Sequence, residues 1–318
     1  METCGKILAE VKKIFAGNDE VVRKMLLTFL AGGHVLLEDI PGVGKTTLAV
    51  AFSKAMNFKT NRIQFTPDVM PSDVTGFTLY NQNTHEMVFQ PGAVMTNFLL
   101  ADEINRASSR SQSALLQAME ENLVTVDNIT HDLPNPFFVI ATQNPFGSAG
   151  TQLLPESQTD RFMTCLSIGY PEAEAELLML QRKHGASESQ EVQQVADLNE
   201  IMLIKKNVAE VYIHEEIYKY ILRLIQKTRD FDGIQQGASP RASVAFAAMS
   251  QAGAYMSGRD YVIPADVKNI YPDCIAHRIV LSAETARSGK TAKELLKQIL
   301  RETEEPKLRK GTDRKSVV

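Results

Sequence analysis

The chain has 318 residues and carries 34 Lys+Arg against 38 Asp+Glu, a formal net charge of −4. With 44% hydrophobic and 23% charged residues it has the composition of a folded globular protein rather than a disordered one, and at about 100–200 residues per domain its length suggests two domains. The mildly acidic balance excludes a surface that is basic all over and binds nucleic acid everywhere, and no apolar run approaches the ~18 residues of a membrane-spanning helix.

The N-terminal stretch METCGKILAEVKKIF has no cationic segment followed by an apolar core, so it does not read as a secretory signal. Short apolar runs then follow at Val35–Glu38, Arg62–Phe65, Asn97–Ala101, Phe137–Ala141 and Cys165–Ile168. Runs of this kind are expected of strands buried on both faces of a parallel sheet. Helical patterns lie between them, at Thr47–Met56 and Ser111–Glu121, and strand–helix alternation implies an α/β layer architecture. After Tyr170-Pro171 the pattern changes. Glu172–His184, Val211–Arg229, Ser239–Met256 and Ala265–His277 have apolar spacings of three and four, and Ser239-Pro240 is a clear helix start. The expectation is an α/β core over residues 1–170, a helical domain over 171–304, and a charged, disordered tail over 305–318. Cys4, Cys165 and Cys274 lie far apart, without a CxxC pair, and the six histidines form no HExxH. Reduced thiols in a cytoplasmic protein are the simplest reading, and metal chemistry through His and Cys is disfavoured.

Chemistry first becomes legible between the first strand and the first helix of the core. Glu38-Asp39-Ile40-Pro41-Gly42-Val43-Gly44-Lys45-Thr46-Thr47 has the strand–loop–helix setting of a phosphate-binding P-loop. Its glycines let backbone N–H groups turn inward around phosphate oxygens, and the helix N-terminus adds a favourable dipole. The nucleotide-cradling set is Pro41, Gly42, Val43, Gly44, Lys45, Thr46 and Thr47. Lys45 reaches for the β- and γ-phosphates and the Thr46 hydroxyl for Mg²⁺. The loop departs from consensus in one place: Asp39 stands where its first glycine is expected.

Phe98-Leu99-Leu100-Ala101-Asp102-Glu103 is an apolar strand ending in two carboxylates. In an open parallel sheet the ligand sits at the carboxyl ends of strands. There Asp102 is expected to hold Mg²⁺ through water, and Glu103 to polarise the attacking water. The next strand ends in Thr142-Gln143-Asn144-Pro145, whose amide either reaches the γ-phosphate or only caps an Asn-Pro turn.

In this order, the P-loop, acidic pair and polar strand end resemble the AAA+ ATPase superfamily, and in detail its MoxR family. The matching stretches are LAGGHVLLEDIPGVGKTT, QFTPDVMPSDVTG, LLADEINRASSRSQSALLQAMEE, FFVIATQNP, LPESQTDRF and GASPRA, from Ala31 to Ala242. The resemblance implies a P-loop AAA+ core with a parallel five-stranded sheet flanked by helices, plus a C-terminal all-helical lid. It implies ATP and Mg²⁺ as ligands and a hexameric ring with ATP between neighbouring subunits. Asn144 becomes the γ-phosphate sensor, Arg161 in TDRF a finger acting on a neighbour's nucleotide, and Arg241 in SPRA the lid arginine acting in cis. Guanidinium groups suit these tasks because they neutralise charge on the transferring phosphoryl group. Arg106 in DEINRA also matches a family position. Two inserts mark this branch, residues 74–92 and 122–137, and both read as hairpins.

Neither insert contains Lys or Arg. If the inserts face the pore of a ring, a nucleic-acid motor is disfavoured, because phosphate neutralisation dominates that affinity. The expected function is therefore an ATP-hydrolysing, chaperone-like remodeller of a protein client, acting in assembly or maturation of protein complexes. The resemblance adds a partner carrying a von Willebrand A domain. The competing readings are a nucleotide-gated binding scaffold with little turnover and a magnesium-chelatase-like ATPase subunit.

Overall fold

The strand that leads into the phosphate loop lies inside the sheet, not at its edge. In the computed structural model, which describes residues 2–15, 17–39, 42–144, 154–170, 173–183 and 191–306, two compact units divide the chain between Ala209 and Glu210. The first opens with helices α1 (Glu2–Ile14) and α2 (Asp19–Leu30), strand β1 (Val35–Glu38), α3 (Lys45–Ala55), β2 (Thr60–Gln64) and the short α4 (Pro71–Thr75). There follow β3 (Gly76–Asn81), β4 (Glu86–Pro91), β5 (Phe98–Asp102), α5 (Ser109–Glu121), β6 (Leu123–Val126), β7 (Ile129–Asp132) and β8 (Phe138–Gln143). The unit ends with α6 (Glu156–Thr159), β9 (Thr164–Leu166), α7 (Ala173–Lys183) and α8 (Leu198–Ala209).

Five of these strands make one parallel sheet in the order β2-β5-β8-β1-β9. Its central strands FLLAD and FVIATQ are buried at every residue, which is why they read as unbroken apolar runs. The edge strand β2, TNRIQ, is half exposed and carries its polar residues outward. Successive residues face opposite sides. Leu36, Leu99, Ala101, Val139 and Ala141 join Leu115, Leu116 and Met119 of α5 in one core layer. On the other side Phe98 and Phe138 meet Phe29 of α2, with ring centroids 5.2 and 5.3 Å away. β1 pairs with β8 on one side and β9 on the other, so the chain departs from it in both directions. In such sheets the crevice at the carboxyl ends beside that strand is the ligand site.

A buried histidine pins the start of β1. His34 Nδ1 accepts the Val139 N–H at 3.0 Å and Nε2 donates to the Met119 carbonyl at 3.1 Å, which requires the neutral ring. Burial pulls its pKa down to about 4.

Both inserts are antiparallel hairpins. β3 and β4 pair from Gly76↔Pro91 to Asn81↔Glu86. β6 and β7 pair around Asp127 and Asn128, whose φ values of 50° and 64° suit a two-residue primed turn. Phe89 of one hairpin stacks on His131 of the other at 3.8 Å. Exposed Phe77, Leu79, Tyr80, Met87 and Ile129 give these hairpins an apolar surface.

The second unit contains α9 (Glu215–Asp230), β10 (Ile234–Gln236), α10 (Pro240–Met256), α11 (Pro264–Ile275), β11 (Val280–Leu281), α12 (Ala283–Arg287) and α13 (Ala292–Glu302). Its core is Ile217, Tyr220, Leu224, Phe246, Met249, Tyr271 and Leu296. Ser239 caps α10 by accepting the Ala242 N–H, with Pro240 in the first turn as expected. The antiparallel pair β10–β11 and an isolated bridge between Tyr212 and Tyr261 depart from an all-helical unit. The sheet-bearing unit runs on through α8, beyond the Tyr170-Pro171 point where the sequence turns helical. The sequence reading assigned no helix at Leu198–Ala209 or Ala292–Glu302. The second of these carries a capping box, Thr291 with Glu294, that signals its start.

Candidate active site

The phosphate loop leaves β1 at Asp39 and enters α3 at Lys45. Gly42 and Gly44 have φ values of 91° and 90°, a region that glycine enters without steric cost. Of the nucleotide-cradling set expected from sequence, Pro41 falls outside the described residues, with Ile40; Gly42, Val43, Gly44, Lys45, Thr46 and Thr47 are in place on the loop and the first turn of α3. Lys45 Nζ donates to the Asp39 carbonyl at 2.8 Å. Burial lowers the Lys45 ammonium below its usual pKa, and the charges of Asp39, Asp102 and Glu103 oppose that fall.

Asp102 ends β5 and is buried. Arg62 Nε donates to its Oδ2 at 2.8 Å, and the Thr142 hydroxyl to its Oδ1 at 3.3 Å. Glu103 follows in the left-handed region, φ 54° and ψ 48°, a conformation that costs a non-glycine residue about 1–3 kcal/mol and clusters at functional sites. Its backbone N–H donates to Thr142 Oγ1 at 2.8 Å, and its carboxylate accepts from Arg106 Nη1 at 2.7 Å. Thr142 thus touches both acidic residues. Asn144 sits just past the end of β8, partly exposed. Beside it Gln143 is buried, and its side-chain amide donates to the Glu38 carboxylate across the β1–β8 pair.

The two more distant arginines are placed differently. Arg161, after α6, donates to the Leu116 carbonyl at 3.0 Å and pairs with Glu120 at 2.7 Å; sequence alone offers its neighbour Asp160 as the obvious ion-pair partner. Arg241 is exposed in the first turn of α10, in the second unit. The helix dipole makes that an unfavourable place for a cation unless an anion binds there.

Lys45, Asp102 and Glu103 therefore share the carboxyl-terminal end of the sheet, with Asn144 at the end of the strand between them. Arg62 and Thr142 are the added members, and Arg106, expected from the family resemblance alone, bonds Glu103 of its own chain. Thr142 lies in the polar strand end, but its contacts are long-range. Arg62 has no local signal at all. The donor set suits Mg²⁺: a threonine hydroxyl and a carboxylate are hard oxygen ligands. Among the described residues no group of three or more His, Cys, Asp or Glu could hold a metal ion alone.

A P-loop, an acidic strand end and a polar strand end on a β2-β5-β8-β1-β9 sheet define a P-loop nucleoside triphosphatase of the AAA type. Residues 34–164 match the ATPase family associated with various cellular activities (AAA), and residues 226–299 match the AAA lid domain. The chain is 42% identical over 296 residues to an uncharacterized protein, YeaC, of Bacillus subtilis, covering 93% of this chain and 92% of that protein. It is 39% identical over 291 residues to Chaperone MoxR1 of Mycobacterium tuberculosis, covering 89% of this chain and 77% of that one. Protein MoxR of Methylorubrum extorquens is 27% identical over 86% of each chain. The fold matches a crystal structure described as that of "a putative ATPase" from Cytophaga hutchinsonii with a TM-score of 0.89 and 36% identity, over 96% of both chains. The chain belongs to the MoxR family of AAA+ ATPases.

Proposed function

We propose that this chain is a Mg²⁺-dependent ATPase that works as a hexameric ring, hydrolysing ATP between neighbouring subunits to remodel a protein client during assembly or maturation of complexes. The observation that carries this reading is the convergence of Lys45, Asp102 and Glu103 on one sheet end, with Thr142 bonded to both acidic residues. The Lys45 ammonium neutralises the β- and γ-phosphates, and the loop N–H groups hold their oxygens. Thr46, and Asp102 through water, would hold Mg²⁺, which would supply positive charge against the developing negative charge of the phosphates. Glu103, fixed through its N–H by Thr142 and through its carboxylate by Arg106, takes the proton of the attacking water. Asn144 orients that water or the γ-phosphate, and Arg241 adds positive charge from the same chain.

Arg161 is the residue we assign to the neighbour's site. In its own subunit it pairs with Glu120, side chains 33% and 43% exposed, and donates to the Leu116 carbonyl; the ion pair itself contributes under about 1 kcal/mol, and release also exchanges the carbonyl bond for a new acceptor. A finger supplied in trans contributes about 10³–10⁵ in rate. The exposed apolar hairpins without Lys or Arg support a polypeptide client over nucleic acid. The name of the Mycobacterium tuberculosis relative, a chaperone, supports the same class. A von Willebrand A-domain protein is the expected partner. Buried Cys4, Cys165 and Cys274, none of them in a disulfide, suit a reducing cytoplasm; among the described residues no helix is long and apolar enough to cross a membrane.

The test is steady-state ATP turnover per subunit across a wide protein-concentration range, for the parent and Arg161→Ala. The expected rate climbs with concentration in the parent and falls at least about 10³-fold in the variant. Mixing Arg161→Ala with Lys45→Ala subunits is expected to restore activity. A rate independent of both concentration and Arg161 would mean that the site is complete within one chain.

A further inference from the structure

The one departure from the phosphate-loop consensus is also the best-connected residue in the loop. Asp39 is buried, and both carboxylate oxygens are in use. Oδ1 accepts from the Ser167 hydroxyl at 2.9 Å and the Gly169 N–H at 3.0 Å, and Oδ2 accepts from the Ile168 N–H at 2.6 Å. Its main chain serves the loop itself: the carbonyl accepts from Lys45 Nζ, and the N–H donates to the Gln143 carbonyl at 3.3 Å. A glycine here would keep those two main-chain bonds and lose all three side-chain ones. The three donors belong to the segment that follows β9. It is a short piece of non-regular chain with Gly169 at φ 72° and Tyr170 81% exposed. Among the described residues the hydrogen bonds of residues 167–169 run to this carboxylate, while the Ile168 side chain is itself buried. The Phe15 ring lies against Gly44 of the loop, where an added Cβ would come within 3.3 Å of it. The phosphate loop is thus flanked by an aromatic ring and by a segment tied to it through one side chain.

We propose that Asp39 is a positioning residue that holds the 167–169 segment against the phosphate loop, so that the non-phosphate part of the nucleotide is recognised only while that tie is made. The proposal rests on the nucleotide-binding reading above. Charge-assisted hydrogen bonds from two N–H groups and a hydroxyl make a strong tie, and one whose loss leaves the phosphate cradle chemically intact. Removing it should therefore separate two quantities that a defect of the loop alone would move together. These are affinity for ATP and affinity for inorganic tripolyphosphate, which offers the same anionic chain without base or ribose.

The experiment measures both affinities by calorimetry, with Mg²⁺, for the parent, Asp39→Gly and Ser167→Ala. In the parent, ATP is expected to bind more tightly than tripolyphosphate. In Asp39→Gly, ATP should weaken by about 10-fold or more while tripolyphosphate stays within about 3-fold. In Ser167→Ala, which removes one of three donors from an exposed position and so leaves the fold intact, ATP should weaken about 2- to 5-fold with tripolyphosphate unchanged. Equal weakening of both ligands in either variant, or unchanged ATP affinity in Ser167→Ala, overturns the proposal, and the second result does so even if Asp39→Gly fails to fold. A parent that binds neither ligand would instead refute the nucleotide-binding reading itself.

Discussion

Acidification should destabilise this protein through one histidine. His34 is buried against β8 and α5, donating to Met119 and accepting from Val139, so a proton on Nδ1 would oppose the Val139 N–H and place a charge beside Phe137 and Phe138. Burial, with a smaller push from the Lys205 charge, moves its pKa from 6.5 in the unfolded chain to about 4 in the folded one. Above pH 6.5 neither state holds the proton and the site costs nothing. As pH falls through 6.5 the unfolded chain takes it up and the folded chain does not, so stability declines until about pH 4, below which the loss is complete. The full difference is about 3 kcal/mol, of which about 2 kcal/mol is gone by pH 5. Urea unfolding followed by circular dichroism, suited to a chain without tryptophan, is compared at pH 7 and pH 5 for the parent and His34→Gln. Glutamine offers an N–H to Met119 and a carbonyl to Val139 but cannot titrate. The carboxylates that respond to pH in both proteins cancel in the difference, and the parent is expected to lose about 2 kcal/mol more than the variant. Parallel pH dependences would refute the reasoning.

Lys45→Ala should abolish binding of a fluorescent ATP analogue, whereas Glu103→Gln should retain ATP and lose turnover by about 10²–10⁴-fold; hydrolysis at the parent rate by the glutamine variant would remove Glu103 from the role of base. Leu79→Ser combined with Met87→Ser alters side chains 51% and 63% exposed, so thermal stability should stay within about 0.5 kcal/mol of the parent. Basal ATP turnover should be unchanged, while any stimulation by reduced, carboxymethylated α-lactalbumin, used as an unfolded probe, should fall. Stimulation that survives the double substitution would take the hairpins out of client contact.

What the sequence could reveal depended on how far apart the interacting residues lie. The phosphate loop, the first strand and the Asp102-Glu103 pair are contiguous patterns, and β1 has the limits that its apolar run suggests. Both inserts read as hairpins in the sequence, and Asp127-Asn128 supplies the positive φ pair that the second one's turn needs. The helical patterns at Ser239–Met256 and Ala265–His277 fall within a residue or two of α10 and α11. The network behind the acidic pair was not legible. Thr142 meets Asp102 and Glu103 because β5 and β8 align Ala101 with Ala141, and Arg62 meets Asp102 because β2 aligns Gln64 with it. Such registers join residues about forty positions apart, and no local pattern encodes them. Arg161 shows the same limit: its carboxylate partner is Glu120 on α5 rather than the adjacent Asp160.

Two residues defy local expectation in this core, and both lie where the strands end. Asp39 occupies a glycine position, and Glu103 holds a left-handed conformation that glycine or asparagine would adopt more cheaply. In a chain whose caps, turns and apolar periods otherwise agree with its fold, such conflicts mark places where another demand outweighs stability. For Glu103 the strained backbone turns the carboxylate away from the direction of β5 and toward Arg106, while Thr142 holds the peptide that makes the turn. Replacing it by glycine relieves the strain and deletes the carboxylate at once. For Asp39 the buried carboxylate is compensated by three donors that lie about 130 residues away, so its cost is balanced only when the segment after β9 is docked. Each residue thus makes local stability depend on a distant contact at the carboxyl-terminal end of the sheet, so a change at that end is felt where those contacts lie.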